Sequence, residues 1–126
     1  MTPQSKSQRK EQIRVIAELY QAHLDAPFPR DCVGQMIEEI DLVLLDSYTA
    51  GCISTFLTSR GRLDLWRTAI LGLCHRDLCL VASHLDGESR DYYQHMENLS
   101  RLVLEAVRDH APRTNWRGTV MRWLGT

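Results

Sequence analysis

The chain has 126 residues, 44% hydrophobic and 25% charged, with a formal net charge of −1. That length suits one domain able to bury roughly two-thirds of its unfolded surface, so folding needs neither disulfide nor metal. Near-neutral charge removes any global attraction to nucleic acid or an anionic membrane, and apolar runs as short as residues 42–45 leave no transmembrane segment.

The first residues, MTPQSKSQRKEQ, are polar and lack the apolar stretch of a signal peptide. The expectation is a cytoplasmic protein with reduced thiols. Helical periodicity then runs through most of the chain. Ile13, Ile16, Ala17, Tyr20 and Leu24 make one stripe, which predicts a first helix over 6–25. The APFP segment at 26–29 ends it, because each proline disfavours helical geometry in the residue before it. Cys32, Val33, Met36, Ile37 and Ile40 are spaced as a short connector helix.

Asp41 is placed to cap a second helix, with Ile40 and Leu45 as a hydrophobic staple around it. That helix runs to Ser59 or Arg60, and Gly61 supplies its left-handed stop. Asp64 caps a third helix ending near Leu85, with Gly87 just beyond. The fourth begins around Ser89 and carries Tyr92, Met96, Leu99, Val103, Ala106 and His110 on one face, up to Pro112. No stretch reads as strand. Four helices with short loops predict an all-α antiparallel four-helix bundle over 1–111, with the connector helix before the second helix and an amphipathic tail over 112–126.

The second helix raises a chemical question. Asp46 shares a face with Val43, Ala50, Ile53 and Leu57, and a buried unpaired carboxylate costs several kcal/mol. It must therefore be paired, protonated or open to water, and Arg14, Arg67 and His75 are the candidate partners. On the same helix, Ser47, Gly51 and Thr55 form a small-residue ridge that Thr68 and Gly72 could face. A mid-helix glycine costs about 1 kcal/mol relative to alanine, so the pattern predicts close approach of the second and third helices.

The segment CHRDLC, 74–79, concentrates reactive residue types. His75 and Cys79 lie at i, i+4 and could face one another as base and nucleophile, although no group to orient the base is identifiable. Asp77 shares a face with Trp66, Ile70, Leu73, Leu80, Val81 and His84, which makes it a second inward carboxylate. Asp46, His75 and Asp77 are thus the buried polar or ligand-binding candidates. The four cysteines, Cys32, Cys52, Cys74 and Cys79, contain no C-x-x-C pair and read as small apolar fillers rather than zinc ligands. His84, Asp86, His95 and Glu97 gather near a helix junction without a compact ligand spacing. No metal and no cofactor is expected.

RDYYQH, residues 90–95, resembles the Arg-[Asn/Asp/His]-x-x-x-His motif of HEPN-type ribonucleases, which are all-α bundles. The resemblance covers six residues. It implies Arg90 as the residue stabilising an RNA phosphate and His95 as the acid or base.

The tail PRTNWRGTVMRWLGT places Trp116, Val120, Trp123 and Leu124 along one helical side, with Arg113, Arg117 and Arg122 and no acid. Tryptophan and arginine are enriched at interaction hot spots. The tail could dock on its own bundle or on a membrane surface; Trp116, Val120, Trp123, Leu124, Arg117 and Arg122 are otherwise the interface candidates, for a protein partner or a second copy of the chain. The leading expectation is a non-enzymatic interaction protein, self-association included, with no catalytic residue. The alternative is a metal-independent ribonuclease using Arg90 and His95, the one reading with a nucleic-acid partner. A third is a small-molecule-binding bundle with Asp46 and Asp77 lining an internal pocket.

Overall fold

The computed structural model describes residues 5–110. The tail over 112–126, with the interface candidates Trp116, Arg117, Val120, Arg122, Trp123 and Leu124, lies outside the described residues. The expected all-α architecture is present: four helices, α1 (Lys6–Asp25), α2 (Leu42–Thr58), α3 (Leu65–Ser83) and α4 (Gly87–His110), pack as a bundle. No helix among the described residues is long and apolar enough to cross a membrane.

Local chemistry starts each helix. Ser5 and Gln8 form a reciprocal capping box at α1. Asp41 accepts from the backbone N–H groups of Val43 and Leu44 at α2, and Asp64 accepts from Arg67 N–H at α3. At the end of α2 the reversal is made by two left-handed residues, Arg60 (φ 57°) and Gly61 (φ 87°). Gly61 N–H bonds Phe56 O at 2.8 Å and Arg60 N–H bonds Leu57 O at 3.3 Å, which satisfies carbonyls that the helix leaves open.

The connector departs from its expected helix. Only Arg30–Cys32 is helical, as a single 3-10 turn. Two short strands follow, β1 (Met36–Ile37) and β2 (Ile40–Asp41), paired antiparallel with Met36 opposite Asp41 and Ile37 opposite Ile40. Glu38 and Glu39 make the two-residue turn, both with positive φ (47° and 68°). That is the backbone a tight hairpin needs, but it is normally supplied by Asn-Gly or Asp-Gly.

The core has two adjoining parts. One joins the connector to the facing ends of α2, α3 and α4 through Cys32, Leu42, Leu45, Leu78, Tyr93 and Met96. The other holds Ile16, Ile53, Phe56, Leu71, Leu99 and Val103. Each of these large side chains is worth about 1.5–3 kcal/mol when fully buried. Arg9 ties the second part together from outside. Its guanidinium donates to Gly61 O and, at 2.8 Å, to Ala106 O, and its Cζ lies 5.9 Å from the Phe56 ring centre.

Two packing expectations are corrected. A Cβ built at Gly51 or at Gly72 would meet nothing within 4 Å, so these glycines do not mark close approach of α2 and α3. The third helix turns Leu71, Cys74, Leu78 and Val81 inward. Trp66 and Leu73 are exposed instead, and Asp77 beside them is part-exposed, 3.7 Å from Arg76. Asp77 is not an inward carboxylate. The registers differ by about one residue, enough to turn the face by roughly 100°.

Candidate functional site

Asp46 meets His23 and Tyr92, not Arg14, Arg67 or His75. Arg14 instead pairs with Glu11 and Glu18 on its own helix, Arg67 pairs with Asp64, and His75 pairs with Glu97. Tyr92 O–H donates to Asp46 Oδ1 at 2.8 Å. His23 Nε2 lies 3.2 Å from the same oxygen and 3.3 Å from the Tyr92 hydroxyl. Because the Tyr92 proton is directed at Asp46 and a carboxylate only accepts, Nε2 is assigned as the nitrogen carrying hydrogen. The other ring nitrogen is Nδ1. It is buried and has no hydrogen-bond partner among the described residues.

His23 was not singled out from the sequence, yet it is 5% exposed while Leu24 beside it is 56% exposed. The inward stripe of α1 runs through Ile16, Tyr20 and His23. What holds a polar ring there is the Asp46 contact together with a set of aromatic neighbours. Its ring centre lies 4.7 Å from that of Tyr92, 6.1 Å from His95 and 6.4 Å from Tyr20. Phe28, held between Pro27 and Pro29, meets Tyr92 edge-on at 5.5 Å. The spacing that carried the clue was His23 at i+3 from Tyr20 and i+7 from Ile16.

Burial acts on these groups in consistent directions. It pushes the Tyr92 hydroxyl well above its ordinary range, reinforced by its hydrogen bond to Asp46 and by that residue's charge. His95 is pushed down, first by burial and then by His23. Tyr92 is therefore a durable donor, and His95 favours its neutral form.

His23, Phe28, Tyr92 and His95 of this cluster, but not Asp46 or Tyr20, line an open cavity of about 1060 Å³. One wall is the end of α1 and the proline segment, with His23, Phe28 and Arg30. The other is the start of α4, with Tyr92 and His95. Asp31, Asp86, Glu88 and Asp91 bring four carboxylates to the lining against the one guanidinium of Arg30. Arg90 is exposed and does not belong to this lining, although His95 does. Five residues apart on a regular helix, the two point about 140° away from each other.

His75 lies on another face of the molecule, part-exposed, with Nε2 2.9 Å from Glu97 Oε1 and 3.9 Å from Cys79 Sγ. Cys32, Cys52 and Cys74 are buried as expected of apolar fillers, but Cys79 is exposed. Comparison of the chain with models of protein families, with curated proteins and with solved structures gives no match.

Proposed function

We propose that this bundle binds a small organic cation, an amine attached to a flat apolar group, in the cavity between the end of α1 and the start of α4. The observation that carries this reading is the lining itself: aromatic rings at the base and four carboxylates against one arginine. Rings attract cations through their faces, and the carboxylates raise the local concentration of positive ligands. The volume lies at the upper limit of small-molecule sites, which run from about 300 to 1,000 Å³, so an occupant of ordinary size has room to enter. His23 adds a polar side chain to the lining.

The test is a thermal-shift and calorimetric comparison of 2-phenylethylammonium, 2-phenylethanol and phenylacetate with the full chain. The amine should bind saturably and more tightly than the other two. A ligand at 100 times its Kd stabilises by about 2.7 kcal/mol, which for a domain of this size raises Tm by roughly 10 °C. Asp91→Asn with Asp31→Asn should weaken the amine and leave the alcohol unaffected. Equal binding of all three, or preference for the acid, would sink the idea.

The interaction reading keeps one supporting observation among the described residues. Leu65 and Trp66, at the start of α3, are 80% and 74% exposed. On this reading they and the residues beyond 112 contact a protein partner or a second copy of the chain. Removing residues 113–126 should then change oligomeric state or partner binding, and no change in either would end it. The ribonuclease alternative draws no support from a cavity lined by His95 but not by Arg90. It would require RNA cleavage that survives chelation and is abolished by His95→Ala.

A further inference from the structure

We infer that His75, Cys79 and Glu97 form a surface site for a divalent transition metal, zinc by ligand chemistry, with one coordination position open to solvent. Their donor atoms, an imidazole nitrogen, a thiol sulfur and a carboxylate oxygen, all lie within 4.8 Å of one another. His75 and Cys79 are successive turns of one face of α3, and Glu97 comes from α4.

The distances are those of ligands about a shared centre. Zinc bonds of about 2.0–2.3 Å in tetrahedral array place neighbouring donors roughly 3.3–3.7 Å apart. The nitrogen–oxygen separation is 2.9 Å and the nitrogen–sulfur separation 3.9 Å. These two separations lie within about half an ångström of the required edge, the sulfur–oxygen separation is at most 4.8 Å, and rotation of the Glu or Cys side chain would bring the three donors to a common centre. The helices themselves need not move. Leu78 and Met96, next to the site on α3 and α4, are both fully buried in one core cluster, and Leu71 and Leu99, further along the same helix pair, are fully buried in the other.

A thiol–imidazole–carboxylate triad for catalysis is the competing reading, and the geometry disfavours it. In such a triad the carboxylate holds one ring nitrogen while the thiol uses the other. Here Glu97 and Cys79 both approach Nε2. Three donors facing one another around a common point is the arrangement of a metal site, and three protein ligands leave the fourth position free, as zinc sites that bind a water or another ligand do. Sulfur and imidazole favour zinc over magnesium or calcium. The cysteine spacing gives no hint of this, because the third ligand lies 18 residues beyond Cys79 on a different helix.

The test uses the full chain, reduced and stripped by chelator, then titrated with Zn2+ by calorimetry and with Co2+ by absorption. The expected result is one equivalent bound, with a thiolate-to-cobalt charge-transfer band and the intense visible bands of tetrahedral Co2+. Cys79→Ser should abolish the charge-transfer band. Cys79→Ser and Glu97→Gln should each weaken Zn2+ by roughly 100-fold, since each removes a ligand of a three-ligand site. All three side chains are at least partly accessible, so the variants should keep their helical circular dichroism, which is checked in parallel. Failure of the folded chain to bind one equivalent, or binding unchanged in both variants, would overturn the site.

Discussion

At the scale of single residues, the cavity depends on Asp46 holding two partners of different character. Tyr92 gives it a hydroxyl hydrogen bond at 2.8 Å, and His23 an imidazole contact at 3.2 Å. Tyr92→Phe removes only the hydroxyl and keeps the ring against Phe28 and His23. Its expected cost is about 1–2 kcal/mol, because a hydrogen bond to a charged group is worth more than a neutral one; urea unfolding measures it, and a value near zero would mean water replaces the contact. His95 gives a second prediction. Its folded pKa is depressed by burial and by His23, so the unfolded chain takes up this proton first. Stability should begin to fall as the pH drops through about 6.5, the unfolded value, and the loss is complete once the folded value is passed. A series of Tm values from pH 8 to pH 5 should show this slope reduced in His95→Gln, and an unchanged slope would assign it to other groups. The sequence singled out Asp46 as a residue needing a partner, but not which one. That choice depends on how α1 is rotated, and one residue of register exchanges Leu24 for His23.

At the scale of elements, capping chemistry was legible and packing chemistry was less so. Asp41 and Asp64 start α2 and α3 because a short acceptor side chain beside open N–H groups is a local matter, readable within four residues. The hairpin at 36–41 was not readable, since Glu38 and Glu39 adopt left-handed conformations that their side chains do not favour. The glycines show the same divide. Gly61 combines positive φ with a site where an added Cβ would lie 2.7 Å from Arg9 Nη2 and from Ile13 Cδ1. Gly61→Ala should therefore destabilise by roughly 2 kcal/mol or more, through backbone strain and displacement of the Arg9 clamp. Gly51→Ala and Gly72→Ala meet open space on regular helices, so each should stabilise by up to about 1 kcal/mol. Thermal melts of the three variants separate these outcomes by sign. Loss of stability at Gly51 or Gly72 would restore the close helix approach that their small neighbours suggested.

At the scale of the whole molecule, the helical class and the boundaries of α1 follow from periodicity and the proline segment, which are properties of the chain itself. The cavity is a property of assembly. It needs α1 to end at the prolines, the connector to turn back, and α4 to present its acidic first turns opposite, so its residues span 22 to 95. No spacing rule joins residues so far apart, and the approach of Glu97 on α4 to His75 and Cys79 on α3, the proposed metal ligands, was obscured for the same reason. On the proposed function this cavity takes a cationic aromatic ligand. The most direct test of that proposal is a 1H–15N NMR titration of the full chain with 2-phenylethylammonium, with phenylacetate in parallel. Saturable shifts centred on Phe28, Asp31, Tyr92 and His95 are expected for the amine, and little change for the acid. Shifts centred on Leu65 and Trp66, or equal shifts with both compounds, would contradict it.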